Sequence, residues 1–383
     1  LKGSMPFSLI TVLMPLPLCS ADSTKLIIQP TFPAIMLQWQ SDSVGSIYNY
    51  LSPGCQICRQ GAGLVLFVTG RCERGCFYCP ISEDRRGKDV AYADEQPVGE
   101  LADILSEGRA IGALGTGITG GEPLLRLDYV LDCIRALKEE FGSEHHIHLY
   151  TGILPNRSVL ERLAQAGLDE IRFHPPDEEW SDPVGLKEVL EEAKALGLQA
   201  GVEIPAYKPA PQIVHAVREA DAFLNLNELE FSETNFSRLM EEGFLPLDLG
   251  CGAEGSEEMA RGYLLDDIKV HYCPSRFKDA VQLRERLRRR AERTSRPLDY
   301  ITEEGTIIHG IIEGKEGDLK SALGIIDGLE VPAEMYSCLE GRIEIAAWIL
   351  EEICPDLEGC KCDLCIIERY PLQDGPVVER IPL

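Results

Sequence analysis

The chain has no uninterrupted apolar run of about 20 residues, the length a bilayer-spanning helix needs. Its apolar start, 7–19, is broken by Pro15 and Pro17 and preceded by Pro6. Lys2 alone is too little for the basic start of a signal peptide. A membrane protein is excluded on this reading. Positive charge is also scarce, with 37 Lys and Arg against 63 Asp and Glu and a formal charge of -26. That balance excludes nonspecific attraction to nucleic acid or anionic lipid over most of the surface, leaving room only for a local basic groove. Fourteen cysteines would form a disulfide scaffold in a short secreted chain, but in 383 residues they read as metal ligands in a reducing compartment, the cytoplasm.

What is present is a globular composition, 44% apolar and 26% charged, long enough for a catalytic domain of roughly 200 residues with smaller appendages. Leu1 to Ser4 before Met5 resembles an expression scar. Residues 1–35 read as a mispredicted extension or as a packed N-terminal arm.

The informative stretch is 64–80. An apolar run breaks at Thr69 and Gly70 and leads into Cys72, Cys76 and Cys79, with Tyr78 just before the last sulfur. Soft thiolates select iron-sulfur, zinc or copper(I). A structural zinc site would be closed by a fourth ligand, and none stands nearby. The ferredoxin-type run has different spacing. Three thiolates on a loop after a buried strand can hold three irons of a 4Fe-4S cube and leave the fourth open. Zinc and free core thiols are the competing readings. A second motif, Gly120, Gly121, Glu122 and Pro123, follows another apolar run. Taken alone it reads as an ordinary turn.

In this order, with a helix-sized gap between them, the two motifs resemble the radical S-adenosylmethionine (SAM) superfamily. The resemblance implies that the open iron binds the amino and carboxylate groups of SAM. An external low-potential donor such as ferredoxin or flavodoxin then drives cleavage to methionine and a 5'-deoxyadenosyl radical, which takes hydrogen from a substrate. It also implies that Gly120 and Gly121 offer backbone groups to the SAM amino group, while Glu122 and Pro123 shape the turn. Within the superfamily the chain is similar to a group related to the activating enzyme of pyruvate formate-lyase. A protein, a small molecule and RNA all stand open as substrate.

From 64 onward strands alternate with helices: strands at 64–68, 113–118, 146–150, 169–173, 199–204 and 223–229. Continuous apolar strands between amphipathic helices imply a parallel sheet. The expected fold is α/β, a partial (β/α)6 radical SAM barrel over 64–235 with a small C-terminal α+β metal-binding extension. A Cys-x2-Cys segment over 36–63 precedes the barrel. Covering loops and a basic helix over 236–298 and a β-rich cap over 299–383 follow it.

Reactive groups in such a barrel come from the C-terminal strand ends. Arg172 is a candidate for the SAM carboxylate, since guanidinium forks around carboxylate; Thr151 or Glu203 could hold the ribose hydroxyls. The alternatives are a helix cap for Thr151 and a buried Arg172–Glu203 ion pair. His148 is expected in the lumen and His145 against the helices. The amides of strand six, Asn225 and Asn227, read either as lumenal or as the open edge of the sheet. Cys251 and Cys273 are solitary; either could be a core residue or face the cavity.

Cys55 and Cys58 form a half-site that needs a partner. Cys362 and Cys365, with Cys360 as an overlapping option, supply one near the end of the chain. The simplest closed site joins the two pairs as a zinc knot. A local site with Cys354 and an auxiliary iron-sulfur cluster are the other options. The helix at 278–293 carries six arginines, which suit an RNA backbone or an acidic face of the chain itself. Four functions thus compete: a radical SAM oxidoreductase or modifying enzyme working under anaerobic conditions, a glycyl-radical-enzyme activase, an RNA-modifying enzyme, and a non-catalytic iron-sulfur or zinc scaffold.

Overall fold

The short β-branched segments after 62 alternate apolar with polar or glycine residues, so each strand has one face for helices and one for something else. In the computed structural model, which describes residues 39–264, 267–372 and 375–383, this becomes an open sheet of seven parallel strands. The extension expected over 1–35 lies outside the described residues. The strands are β1 (Gly63–Phe67), β2 (Gly115–Thr119), β3 (His146–Thr151), β4 (Glu170–Phe173), β5 (Gln199–Pro205), β6 (Phe223–Asn227) and β7 (Lys269–Cys273). Each pairs in parallel with its predecessor in chain order. Two-residue strands extend both edges in antiparallel sense, Ile47–Tyr48 and then Gln40–Ser41 beyond β7, and Tyr92–Ala93 and then Gln96–Pro97 beyond β1.

β7 is one strand more than the six units read from the sequence. Its polar and apolar residues alternate, and the irregular stretch 228–268 separates it from β6, so it does not continue the regular strand and helix pattern. It also settles the position of β6, which is internal to the sheet, so Asn225 and Asn227 do not lie on a solvated edge.

The outer face of the sheet is apolar. Leu64, Leu66, Ile118, Ile147, Leu149, Ile171, Val202, Ile204, Leu224, Leu226 and Val270 are buried in one core with the covering helices. Burial of each such side chain contributes about 1.5–3 kcal/mol. The connecting helices are built for that face. α2 (Leu101–Ile111) opens with a capping box between Glu100 and Asp103 and stops at Gly112, whose φ of 58° a β-carbon would strain. α3 (Leu127–Phe141) presents Val130, Ile134 and Leu137 at helical spacing, and α4 (Arg157–Ala166), α5 (Leu186–Ala195) and α6 (Pro211–Glu219) repeat the pattern.

A short helix that precedes the barrel in sequence, α1 (Pro53–Cys58), does not join this outer layer. It packs against β1, β2 and β3 on the inner face, where Gly54 lies so close to Arg172 and His148 that an added β-carbon would stand 2.6 and 2.7 Å from them. The basic stretch following β7 forms α7 (Arg284–Thr294), which packs on α2. Three of its six arginines are engaged elsewhere in the chain. Arg286 pairs with Asp94, Arg290 with Glu107, and Arg289 donates to the carbonyls of Ile111 and Gly112. The helix therefore carries the segment after β7 across to the β1 side of the sheet, and Arg286, Arg289 and Arg290 serve the chain itself.

The C-terminal region is a separate antiparallel sheet, ordered β9 (Tyr336–Leu339), β10 (Arg342–Ile345), β8 (Ile307–Glu313), β11 (Asp363–Arg369), β12 (Val377–Pro382). Helices α8 (Glu316–Gly328) and α9 (Ala347–Ile353) contribute to the core on one of its faces. Within the region expected to be β-rich, the β-branched run from Ile325 ends α8 instead of forming a strand. Ala322 and Ile326 sit four residues apart on its buried side, and helical spacing outweighs the β-branched pair.

Candidate active site

The inner sheet face is polar on β3 to β7, while β1 and β2 present mainly Gly63, Val65, Phe67, Gly115 and Gly117. Residues of β3 to β7 that alternate with the core positions, among them His148, Arg172, Glu203, Asn225, His271 and Cys273, line a cavity of ≈ 1220 Å³. The same cavity is lined by Cys72, Cys76, Cys79 and the Gly120 to Pro123 turn. Cluster loop, turn and lumen thus belong to one site.

The two motifs are tied by backbone. Gly121 N–H donates to the Thr69 carbonyl at 2.6 Å and Glu122 N–H to that of Arg71 at 2.8 Å. A β-carbon on Gly120 would stand 2.5 Å from the Thr69 oxygen, and one on Gly121 2.3 Å from the Arg71 oxygen. Neither backbone atom can retreat, so both positions require glycine. Glu122 then clasps the next strand end: its carboxylate accepts from Thr151 Oγ1 at 2.7 Å, Gly152 N at 2.8 Å and Leu124 N at 3.0 Å. Thr151 is therefore a partner of Glu122 rather than a helix cap.

Cys72 is exposed and Cys76 and Cys79 are half-buried. Partial burial pushes the Cys72 and Cys76 thiols up, so loading metal must displace their protons. Tyr78 anchors the loop from below. His174 Nδ1 lies 2.7 Å from the Glu203 carbonyl and so carries the proton, which makes Nε2 the acceptor for the Tyr78 hydroxyl at 3.1 Å. Burial holds His174 below its ordinary value, in keeping with a neutral ring.

Arg172 corrects an expectation. All five of its N–H groups are committed: Nε to Glu170 at 2.5 Å, Nη1 to the Tyr150 hydroxyl and Glu203 at 2.7 and 2.8 Å, and Nη2 to Ser52 Oγ and Cys55 Sγ at 3.0 and 3.5 Å. No fork is left for a SAM carboxylate. Glu203 is likewise engaged, accepting from Arg172 and Asn225 on Oε2 and from Asn227 on Oε1, so the ribose role assigned to it gives way to the buried pair. Burial alone would raise Glu203, but Arg172 holds it below the usual carboxylate range. His148 Nδ1, Asn225 Oδ1 and His271 Nδ1 remain without a protein partner among the described residues. Burial pushes His148 down to about 3 and His271 down to about 4, so both rings are neutral.

The zinc knot is also corrected. Cys55 lies in the barrel beside Arg172 and Asn225, whereas Cys365 packs with Ile311 and Ile367 on the second sheet. Cys362 cannot join Cys365 in a local site either. Cys365 points to one face of β11, while Cys360 and Cys362 pack against the helix-covered core on the other. A Cys-x2-Cys pair converges on a turn and diverges on an extended strand. Among the described residues no three His, Cys, Asp or Glu side chains converge on a single ion. For Cys72, Cys76 and Cys79 this agrees with a cube, in which each sulfur serves a different iron.

Residues 66–176 match the sequence profile of the Radical SAM superfamily. A Methanocaldococcus jannaschii protein, named as a candidate glycyl-radical enzyme activating enzyme, is 38% identical over 355 residues, which cover 88% of this chain and 94% of its own. The chain belongs to the radical SAM superfamily. As a radical SAM enzyme it employs a 4Fe-4S cluster and SAM, and takes hydrogen from its substrate. A PqqA peptide cyclase from Granulibacter bethesdensis is 27% identical over 183 residues, 47% of this chain and 43% of that protein. Methylornithine synthase superposes with a TM-score of 0.38 at 14% identity, over 56% of this chain and 67% of its own. Residues 305–383 match a domain family of unknown function. The site fits the superfamily's cofactors, with three thiols on one loop, a side-chain-free glycine shoulder hydrogen-bonded to it, and a cavity beneath both.

Three lumenal residues, His174, Lys278 and Glu230, carried no assigned role from sequence. His174 orients Tyr78, and the ion pair of Lys278 with Glu230 lines the cavity. Cys273, left open between core and cavity, lines it too. The alternation of Lys269, His271 and Cys273 with Val270 and Tyr272 repeats that of His146 to Tyr150, and this was the signal that could have found β7.

Proposed function

We propose that the protein is an activase-type radical SAM enzyme that removes a hydrogen atom from a residue of a partner polypeptide, with an external low-potential flavodoxin or ferredoxin as reductant. The observation that carries this reading is the 38% identical relative, whose similarity runs through the barrel and the C-terminal region alike. Cys72, Cys76 and Cys79 would hold three irons, and the carbonyl oxygens of Gly120 and Gly121 would accept from the SAM ammonium, the Gly121 N–H being already bonded. Bound there, cluster and SAM supply the hydrogen-abstracting radical. Tyr78 and Glu122 are positioning residues, the first fixing the cluster loop to β4 through His174 and the second locking the glycine turn to β3 with Thr151. The unpaired imidazole and amide atoms of the lumen suit a polar backbone segment entering from the rim, since a dry buried polar atom costs about 1–3 kcal/mol.

The test is anaerobic reconstitution followed by SAM and reductant, with methionine and 5'-deoxyadenosine quantified. Both should form in equal amounts and vanish in Cys76→Ala. A candidate partner enzyme should then acquire a glycine-centred doublet by electron paramagnetic resonance. Absence of 5'-deoxyadenosine would overturn the enzyme reading. Deuterium appearing in 5'-deoxyadenosine from a small molecule alone would overturn the activase reading and leave the chemistry intact.

A further inference from the structure

Among the described residues, helices pack on one face of the second sheet only. Cross-strand register assembles the other face in rows: Leu339 beside Arg342 beside Glu313, Glu344 beside Ile311 beside Cys365, and His309 beside Ile367 beside Arg380, with Arg369 beside Ile307. Above these rows lies a groove of ≈ 390 Å³ in which Arg296, Arg342, Arg369 and Arg380 stand around a floor of Ile311 and Ile367. Four guanidiniums converging on one groove is unexpected in a chain of net charge -26.

How the arginines are held matters more than their number. Glu344 and Asp299, 3% and 2% exposed, sit beneath them. Arg296 bridges both carboxylates at 2.5 and 2.9 Å, and Arg342 meets Glu344 at 2.7 Å, yet the arginine side chains are themselves 34% and 43% exposed. Arg296 uses Nε and both Nη atoms on these carboxylates, whereas Arg342 meets Glu344 through Nη2 alone. His309, fully buried, backs Asp299 at 3.1 Å. Arg380 is steadied by Glu313 at 2.7 Å, while Arg369 has no carboxylate partner among the described residues and donates to the Leu372 carbonyl at 2.9 Å. A guanidinium held from behind loses little entropy when its free edge takes a second oxyanion.

We propose that this groove is a binding site for a small ligand with an oxyanion, a phosphate ester or a carboxylate, attached to an apolar body. The oxyanion sits between Arg342, Arg369 and Arg380, and the body lies on Ile311 and Ile367. The site is remote in sequence from the radical chemistry, and it gives residues 305–383 a role of their own.

The test uses probes that do not resemble SAM: phenyl phosphate and benzoate, with phenol as the neutral control, titrated calorimetrically into the full chain at low salt. At least one anionic probe should bind and phenol should not. The double substitution Arg342→Gln with Arg380→Gln should weaken that probe at least roughly tenfold, and the Arg→Lys double should retain part of the affinity. Preference for phosphate over carboxylate, or the reverse, identifies the ligand's head group. An unchanged melting temperature and unchanged SAM cleavage in the Gln double separate a lost site from a lost fold. If neither anion binds at about 5 mM, or if the double substitution leaves binding within twofold, the proposal fails.

Discussion

Replacing Arg172 by methionine separates a structural role from a cofactor role. The side chain is buried with Glu170, whose side chain is fully buried, and with Glu203, 10% exposed. Removing the guanidinium strands two carboxylates, and breaking one buried pair costs about 3–5 kcal/mol. Part of this is offset, because Glu170 keeps Ser52 Oγ at 3.0 Å and the Gly54 N–H at 3.2 Å, and Glu203 keeps both asparagine amides. The expected loss is therefore about 3–5 kcal/mol in total rather than twice that, a large share of a stability of about 5–15 kcal/mol. Urea unfolding of the metal-free protein reads it directly. Adding Glu203→Gln should recover part of the loss by removing one stranded charge, which a simple packing defect would not allow. A change below about 1 kcal/mol, together with lost SAM affinity, would refute the closed-cluster reasoning and return Arg172 to the cofactor.

Gly121→Ala should cut 5'-deoxyadenosine formation at least tenfold while leaving secondary structure intact, since its β-carbon meets the Arg71 oxygen and pushes the turn off the cluster loop; activity within twofold of the parent would sink this. Acid should weaken the fold through its buried imidazoles. Burial pushes His145 down to about 4 from an ordinary 6.5, with Lys138 adding to the effect, and Thr116 Oγ1 contacts its ring at 2.8 Å. Its folded value is depressed, so the neutral ring's contribution is complete above 6.5 and is lost as pH falls toward 4, at about 1.4 kcal/mol per pH unit. Melting temperatures at pH 7 and pH 5 should therefore differ more for the parent than for His145→Gln. Cys362→Ser with Cys365→Ser should leave iron and zinc content unchanged, and a drop of one metal per chain by elemental analysis would restore a C-terminal site.

The cluster motif and the glycine turn were legible because each is contiguous: the chemistry needs three sulfurs on one loop and two residues without side chains, and neither requirement depends on the rest of the chain. The parallel alternation was legible up to β6, where strands are apolar enough to stand out. β7 was not, because the irregular stretch 228–268 replaces the single crossover helix before it, and neither was α1, whose Pro-Gly-Cys start looks like an exposed turn but packs on the inside of the sheet.

Pairing across the sequence is where reading alone failed. Cys55 and Cys58 looked like half of a zinc knot, yet they serve the lumen, and Cys362, just before β11, packs on the opposite face of the sheet from Cys365. Arg172 carried the right chemistry for a carboxylate, but the carboxylates that claim it come from its own strand and from β5. Local sequence by itself determined the cofactor chemistry and the strand and helix periods, since these are set by covalent spacing and backbone geometry. Only the tertiary structure decided which polar groups are already satisfied, because a buried charge takes whichever partner the packing brings within about 3 Å.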